Sequence, residues 1–205
     1  MKTILSFIAT LLVLFVNSQQ PATTDSGKKV ILYDNGKWEY VKSDTSIIDT
    51  KIKGFAKPLT ATALVKSEKN NFGIWYDPKK WKMDNEKETT EFFFSLTKGD
   101  GYAMAITERI QIGMENFKEI ALGNARKAAP DIEVEKEEDR AVNGILIKYI
   151  QMSGTVKGIK FTYAGYYCSN ESGSIQFLSF TGKSLFKDYQ NDFEDLLNGL
   201  VTIQK

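Results

Sequence analysis

Carboxylates are the plentiful chemical material of this sequence, with 26 Asp and Glu set against no His and a single Cys. Without an imidazole base, a Ser-His-Asp or Cys-His unit is excluded. A typical zinc site, which needs His or several Cys, is excluded too. Cys168 has no second thiol to pair with, and without a His to activate it this residue reads as a small buried hydrophobe rather than a nucleophile. The acidic residues are most crowded at Asp131, Glu133, Glu135, Glu137, Glu138 and Asp139, where only Lys136 and Arg140 offset them. Two carboxylates facing one cleft would suit a glycosidase, and several converging oxygens would hold calcium. Strand alternation instead predicts Asp131, Glu133, Glu135 and Glu137 on one face, spaced along a charge-defended edge strand. Neither an Asp-x-Asp-x-Asp-Gly calcium loop nor a Gly-x-x-x-x-Gly-Lys-Ser/Thr phosphate loop occurs. No catalytic residue, metal ligand or cofactor is therefore assigned.

Aromatic residues are the other material with recognition chemistry. Trp75, Tyr76, Trp81, Tyr163, Tyr166 and Tyr167 offer a surface for glycan or peptide, provided they are exposed. Alternation over 159–168 sends Phe161, Tyr163 and Tyr167 to one face and Tyr166 to the other, so one set is core and the remainder is of interest. Trp38 and Tyr40 sit in a segment too short to bury them alone. Trp38, Tyr40, Trp75, Trp81 and Tyr166 are thus the candidate partner-binding residues. Between residues 51 and 82, Lys51, Lys53, Lys57, Lys66, Lys69, Lys79, Lys80 and Lys82 outnumber Glu68 and Asp77, which reads as a solvated surface more than an anion site. Asn170-Glu171-Ser172 fits the glycosylation pattern and reads as a turn.

The elements that must position these residues follow from the wider pattern. Across 205 residues, 42% hydrophobic and 26% charged, the composition is that of a globular protein. Lys2, an apolar run over 4–16 and the compact Val16-Asn17-Ser18 read as a secretory signal over 1–18. The run is shorter than the ~20 residues of a spanning helix. Removing it takes away Lys2 and leaves 27 − 1 = 26 basic against 26 acidic groups. That balance argues against a nucleic-acid partner. The expected product is periplasmic or secreted, with no membrane span after cleavage.

Residues 19–26 read as a tether. Around Asp34-Asn35-Gly36 two β-prone runs predict a hairpin over 27–42, and 43–71 reads as a Lys-rich linker that leaves the hairpin free to move. From residue 72 onward strands are expected at 72–76, 91–96 and 102–109, then a helix carrying Met114, Phe117, Ala121, Ala125 and Ala128 and closed by Pro130. Four strands follow as an antiparallel meander over 132–139, 145–153, 159–168 and 174–181. The last element is a helix with Ser184 as N-cap and an apolar stripe of Phe186, Tyr189, Phe193, Leu196, Leu197 and Leu200.

Two resemblances bear on this order. Residues 27–40 resemble a short hairpin module near the N-terminus of exported bacterial proteins, Gly-Lys-Lys-Val-x-Leu-x-Asp-Asn-Gly-x-Trp-x-Tyr. The opening of the 72–205 region, Phe72-Gly-Ile-Trp-Tyr-Asp-Pro-Lys-Lys-Trp81, resembles the F-x-I-x-Y-P-x-x-W start of PsbP-like domains, with Asp77 as an insertion. The stretch from Tyr167 to Phe177 and the terminal helix are similar to that family's close. The resemblance implies an α+β fold, a PsbP-like α/β/α sandwich with an antiparallel sheet flanked by helices, plus the small N-terminal β-hairpin. It also implies a binding or assembly role over an enzymatic one. The photosynthetic members' ligand residues do not transfer, since no His is present. The expected function is a non-enzymatic binding or assembly protein of the bacterial envelope, with an envelope protein or glycan as partner. The alternative is a carboxylate-dependent hydrolase of envelope glycans.

Overall fold

The structure, a computed structural model, describes residues 19–24, 29–33, 37–40, 52–84 and 90–203. The signal reading over 1–18 lies outside the described residues, as do Lys51 and the hairpin tip at 34–36.

Long strands form where β-branched and aromatic residues run between tight turns. β10 (Glu133–Val142), β11 (Ile145–Val156), β12 (Ile159–Asn170) and β13 (Gly173–Gly182) pair in succession as the expected antiparallel meander. Two of its turns have positive φ at both central residues: Asn143 and Gly144 at 50° and 82°, Lys157 and Gly158 at 50° and 80°. Such turns twist in the same sense as the strands they join. β13 then pairs with β9 (Tyr102–Glu108), β9 with β8 (Phe92–Leu96), and β8 with β7 (Trp81–Asp84). At the opposite edge β4 (Lys53–Phe55) joins β10 in parallel, giving the order β4-β10-β11-β12-β13-β9-β8-β7.

Both faces of this sheet are covered. On one lies α1 (Met114–Ala128), over a core that includes Met104, Phe117, Ile150, Met152, Tyr163, Tyr167 and Phe180. On the other lies α2 (Phe186–Leu197) with a second sheet ordered β14 (Leu200–Thr202), β6 (Phe72–Tyr76) and β5 (Ala63–Lys66). There Trp81, Phe94, Tyr166, Phe177, Phe193 and Leu197 form the core. Each large side chain so buried stabilises the fold by roughly 1.5–3 kcal/mol. The fold is thus α+β, a mostly antiparallel sheet between helices, with a separate small sheet beside it.

That small sheet is β1 (Gln19–Thr23), β2 (Lys29–Tyr33) and β3 (Trp38–Tyr40), in that order. β2 and β3 pair as the hairpin, but residues 19–23 form an edge strand and not a tether. Pro21 is tolerated there because an edge strand has one unpaired side. The linker over 43–71 is also corrected, since β4 belongs to the main sheet and β5 pairs with β6. The sandwich therefore begins before residue 72. Ile31, 2% exposed, joins the α1-side core and Tyr33 packs against it, so the hairpin shares that core.

Three local expectations change as well. Ser184 is not an N-cap, because a 3-10 turn over Lys183–Leu185 leads directly into α2. Leu200 belongs to β14 and not to the helical stripe. The chain leaves α2 through Gly199, whose backbone lies so close to Trp75 that a Cβ would sit 1.8 Å from the Trp75 carbonyl oxygen. A register shift between Val134 and Lys136 breaks the alternation of β10, so Glu133, Glu135 and Glu137 do not share one face.

Candidate functional site

Four of the aromatic candidates, Trp38, Trp75, Trp81 and Tyr166, separate by burial. Trp81 and Tyr166 are core residues at 2% and 0% exposure, so neither presents a surface to a partner. Tyr163 and Tyr167 are buried on the opposite face of the sheet. All four aromatic residues of β12 are thus buried, because helices cover both faces of its central part. Trp75 is half-buried, with its ring 4.9 Å from Lys57 Nζ. Trp38, in contrast, is 51% exposed, and its register partner Leu32 on β2 is 38% exposed. Residues directly opposite on an antiparallel pair share a face. Trp38 and Leu32 therefore lie together on the side of the N-terminal sheet that faces away from Ile31. Tyr40 follows on β3, opposite Val30.

Four carboxylates of the acidic segment, Glu135, Glu137, Glu138 and Asp139, are paired with cations. Past the bulge, Glu137 turns toward α1 and pairs with Lys118 at 2.7 Å, while Asp139 on the same face holds Lys148 at 2.7 Å. Glu135 faces the other way and accepts from Lys183 at 2.5 Å, Ser153 at 2.7 Å and Gln151 at 2.9 Å. Burial alone would raise its pKa, but those three donors outweigh it and lower the pKa to about 2. Asp131 Oδ1 caps the Thr155 N–H at 2.7 Å, and this hydrogen bond lowers the pKa of the exposed carboxyl. Glu138 pairs with Lys136 at 3.0 Å and with Arg140.

Arg140 is the organising cation of the α2 face. It is 1% exposed, and its guanidinium lies between the Tyr149 ring at 3.8 Å and the Phe55 ring at 4.5 Å. It donates to the Tyr166 hydroxyl at 3.0 Å, and Tyr166 donates onward to Asn198 Oδ1 at 2.6 Å. Glu194 of α2 stands 3.5 Å from the same group. Burial works against its charge, but the Tyr166 and Glu138 contacts raise its pKa further. The network ties β4, β10, β12 and α2 together. An arginine stacked on rings and paired with two carboxylates, Glu138 and Glu194, positions the elements that carry them.

Three lysines of the basic excess are similarly committed. Lys57 Nζ donates to the Ala61 carbonyl at 2.9 Å, Lys69 to Thr107 at 3.0 Å, and Lys80 to Asp192 at 2.6 Å. Cys168 is buried, and desolvation pushes its thiol up to about 12, which fits the apolar reading. Asn170 Nδ2 donates to Asn71 Oδ1 at 3.0 Å, so the nitrogen a glycan would need is engaged by the β5–β6 connection. A cleft of about 700 Å³ opens between the start of α1 and the ends of β11 and β12, with Gln111, Lys148 and Ser169 among its walls. Among the described residues, no group of three or more His, Cys, Asp or Glu is placed to hold a metal ion. No helix among them is long and apolar enough to cross a membrane.

One feature escaped sequence reasoning: the hydroxyls of Tyr163 and Tyr167 have no hydrogen-bond partner among the described residues. The visible signal is a pair of tyrosines four apart on β12, facing a helix that carries Ala121, Ala125 and Ala128 toward them.

No family profile matches the sequence, and no curated protein sequence matches it. In shape the chain is similar to the solution structure of cyanobacterial PsbP (CyanoP) from Synechocystis sp. PCC 6803. That match has a TM-score of 0.53 at 11% identity and covers 77% of this chain and 98% of the other. It is also similar to LpqN of Mycobacterium tuberculosis, described as involved in cell envelope biogenesis, with a TM-score of 0.51 at 12% identity over 65% of this chain and 83% of that one. At these identities the likeness shows the fold alone, and that fold is PsbP-like.

Proposed function

We propose that the protein is an exported, non-enzymatic binding or assembly factor of the bacterial cell envelope, which meets a protein partner on the outer face of its N-terminal sheet. The observation that carries this reading is the exposed Trp38–Leu32 pair. Covering an indole and a neighbouring leucine releases much apolar surface, and tryptophan is enriched among residues that dominate interface energy. Trp81 and Tyr166 are committed to the core, and Trp75 is half-buried beside a lysine. The envelope setting is supported by the signal-like residues 1–18 and by the role named for LpqN. The hydrolase alternative has less support, because Glu135, Glu137, Glu138 and Asp139 of β10 are engaged by Lys183, Lys118, Arg140 and Lys148.

The test is affinity capture from an envelope extract with the wild-type chain and with Trp38→Ala as baits. The reading predicts one defined envelope protein recovered by the wild type and reduced at least tenfold by the variant, a loss of about 1.4 kcal/mol. Equal recovery by both baits would contradict it. Recovery of a glycan with no protein would change the partner class.

A further inference from the structure

We propose that the gap beneath the C-terminal half of α1 binds a small uncharged molecule with an apolar body and a hydrogen-bonding oxygen, held by the hydroxyls of Tyr163 and Tyr167. Both residues are almost fully buried, at 3% and 1% exposure, and neither hydroxyl has a hydrogen-bond partner among the described residues. A buried hydroxyl left unmade is costly, so such groups mark a place where something else completes the bond.

The surroundings fill that place only in part. On the strand side Leu178 occupies the room over Gly165, where a Cβ would come within 2.3 Å of Leu178 Cδ2 and 3.3 Å of the Tyr167 ring. On the helix side Ala121, Ala125 and Ala128 reach only part of the way down. The ends are closed more tightly. Phe117 meets the Tyr167 ring edge-on at 5.7 Å, and Ala129 and Ile132 press against Gly154. What remains is a cavity of about 30 Å³ bordered by both tyrosines.

The lining sets the ligand's chemistry. It includes no charged side chain, so an ion would enter without a counter-charge. Burial raises the pKa of both tyrosines, keeping the phenols protonated as donors. A carbonyl, ether or hydroxyl oxygen would accept from them. As it stands the cavity has room for about two water molecules. Met104 and Met152 form part of its wall, and unbranched, flexible methionine side chains can yield to a larger apolar body without backbone movement.

The experiment uses the full chain with methyl-labelled methionine and follows the methyl resonances by NMR. Cyclopentanone, an apolar ring with one carbonyl oxygen, is the probe, and cyclopentane is its oxygen-free counterpart. Met83, which packs on the α2 side, is the internal control. The expected result is a saturable shift of the Met104 and Met152 methyls with cyclopentanone and none at Met83. Removing both hydroxyls in Tyr163→Phe/Tyr167→Phe should weaken that binding about tenfold or more. The proposal is overturned if the ketone leaves both methyls unmoved up to its solubility limit, as it would where tightly held waters fill the gap. It is also overturned if cyclopentane binds as well as cyclopentanone, or if the double variant binds the ketone unchanged, since the site would then be a plain apolar void.

Discussion

The Glu135 carboxylate receives three donors from two elements, Gln151 and Ser153 on β11 and Lys183 beyond β13. Its folded pKa, about 2, lies below the ordinary 4.5 despite partial burial. A carboxylate depressed in this way adds stability that is present above the ordinary value and lost as the pH falls from about 4.5 toward 2. Glu135→Gln is therefore expected to lower stability at neutral pH by about 1 kcal/mol and to flatten the acid limb in that window. Urea unfolding at a series of pH values measures both effects, and parallel curves for variant and wild type would refute this role. Glu138 and Asp131 are shifted in the same direction, so some acid dependence persists. Cys168 supplies a second expectation at this scale. Its sulfur is buried near the Leu146 carbonyl, 3.7 Å away, with the thiol pKa raised to about 12. Ellman's reagent at pH 8 should find no reactive thiol in the folded chain and one after denaturation.

At the level of elements, the exit from α2 is the most constrained join. The Trp75 N–H donates to the Gly199 carbonyl at 2.9 Å, and no Cβ fits between the two backbones. Asn143, in the β10–β11 turn, reinforces the same join by donating to the carbonyls of Asn198 and Leu200 at 2.8 and 2.7 Å. Gly199→Ala should thus destabilise the chain by about 1–3 kcal/mol, read as a lowered urea midpoint; an unchanged midpoint would show that the join is loose. Sequence patterns exposed the meander and both helices because Asn143-Gly144 and Lys157-Gly158 punctuate β-rich runs and the helical stripes repeat cleanly. They did not expose β4 and β5, which are three and four residues long and Lys-flanked. Such strands are held by contacts far along the chain, Phe55 under the Arg140 guanidinium and Val65 on the α2-side core. The bulge after Val134 was equally hidden, and it alone redirects Glu135 away from Glu137. Among the candidate partner residues, alternation sorted β12 into two faces correctly, yet it carries no information on whether one or both of those faces is covered.

For the whole molecule, those long-range contacts imply one cooperative body reaching back to β2. A chain starting at residue 69 lacks β4, β5 and Ile31, exposing the Arg140 stack and both cores at their edges. It should be insoluble or melt well below the chain that begins at residue 19, by calorimetry or circular dichroism; equal melting temperatures would establish residues 72–205 as a free-standing domain. With Ile31 turned inward and Trp38 with Leu32 turned outward, the N-terminal sheet both completes the fold and presents its exposed apolar pair. Contact between this pair and an envelope partner, as proposed, is read by site-specific photocrosslinking from position 38 in intact cells. A photoreactive phenylalanine analogue in place of Trp38 should give one discrete adduct with an envelope protein, absent when the same group replaces the exposed Lys66 on β5. No adduct, or the same adducts from both positions, would contradict the account.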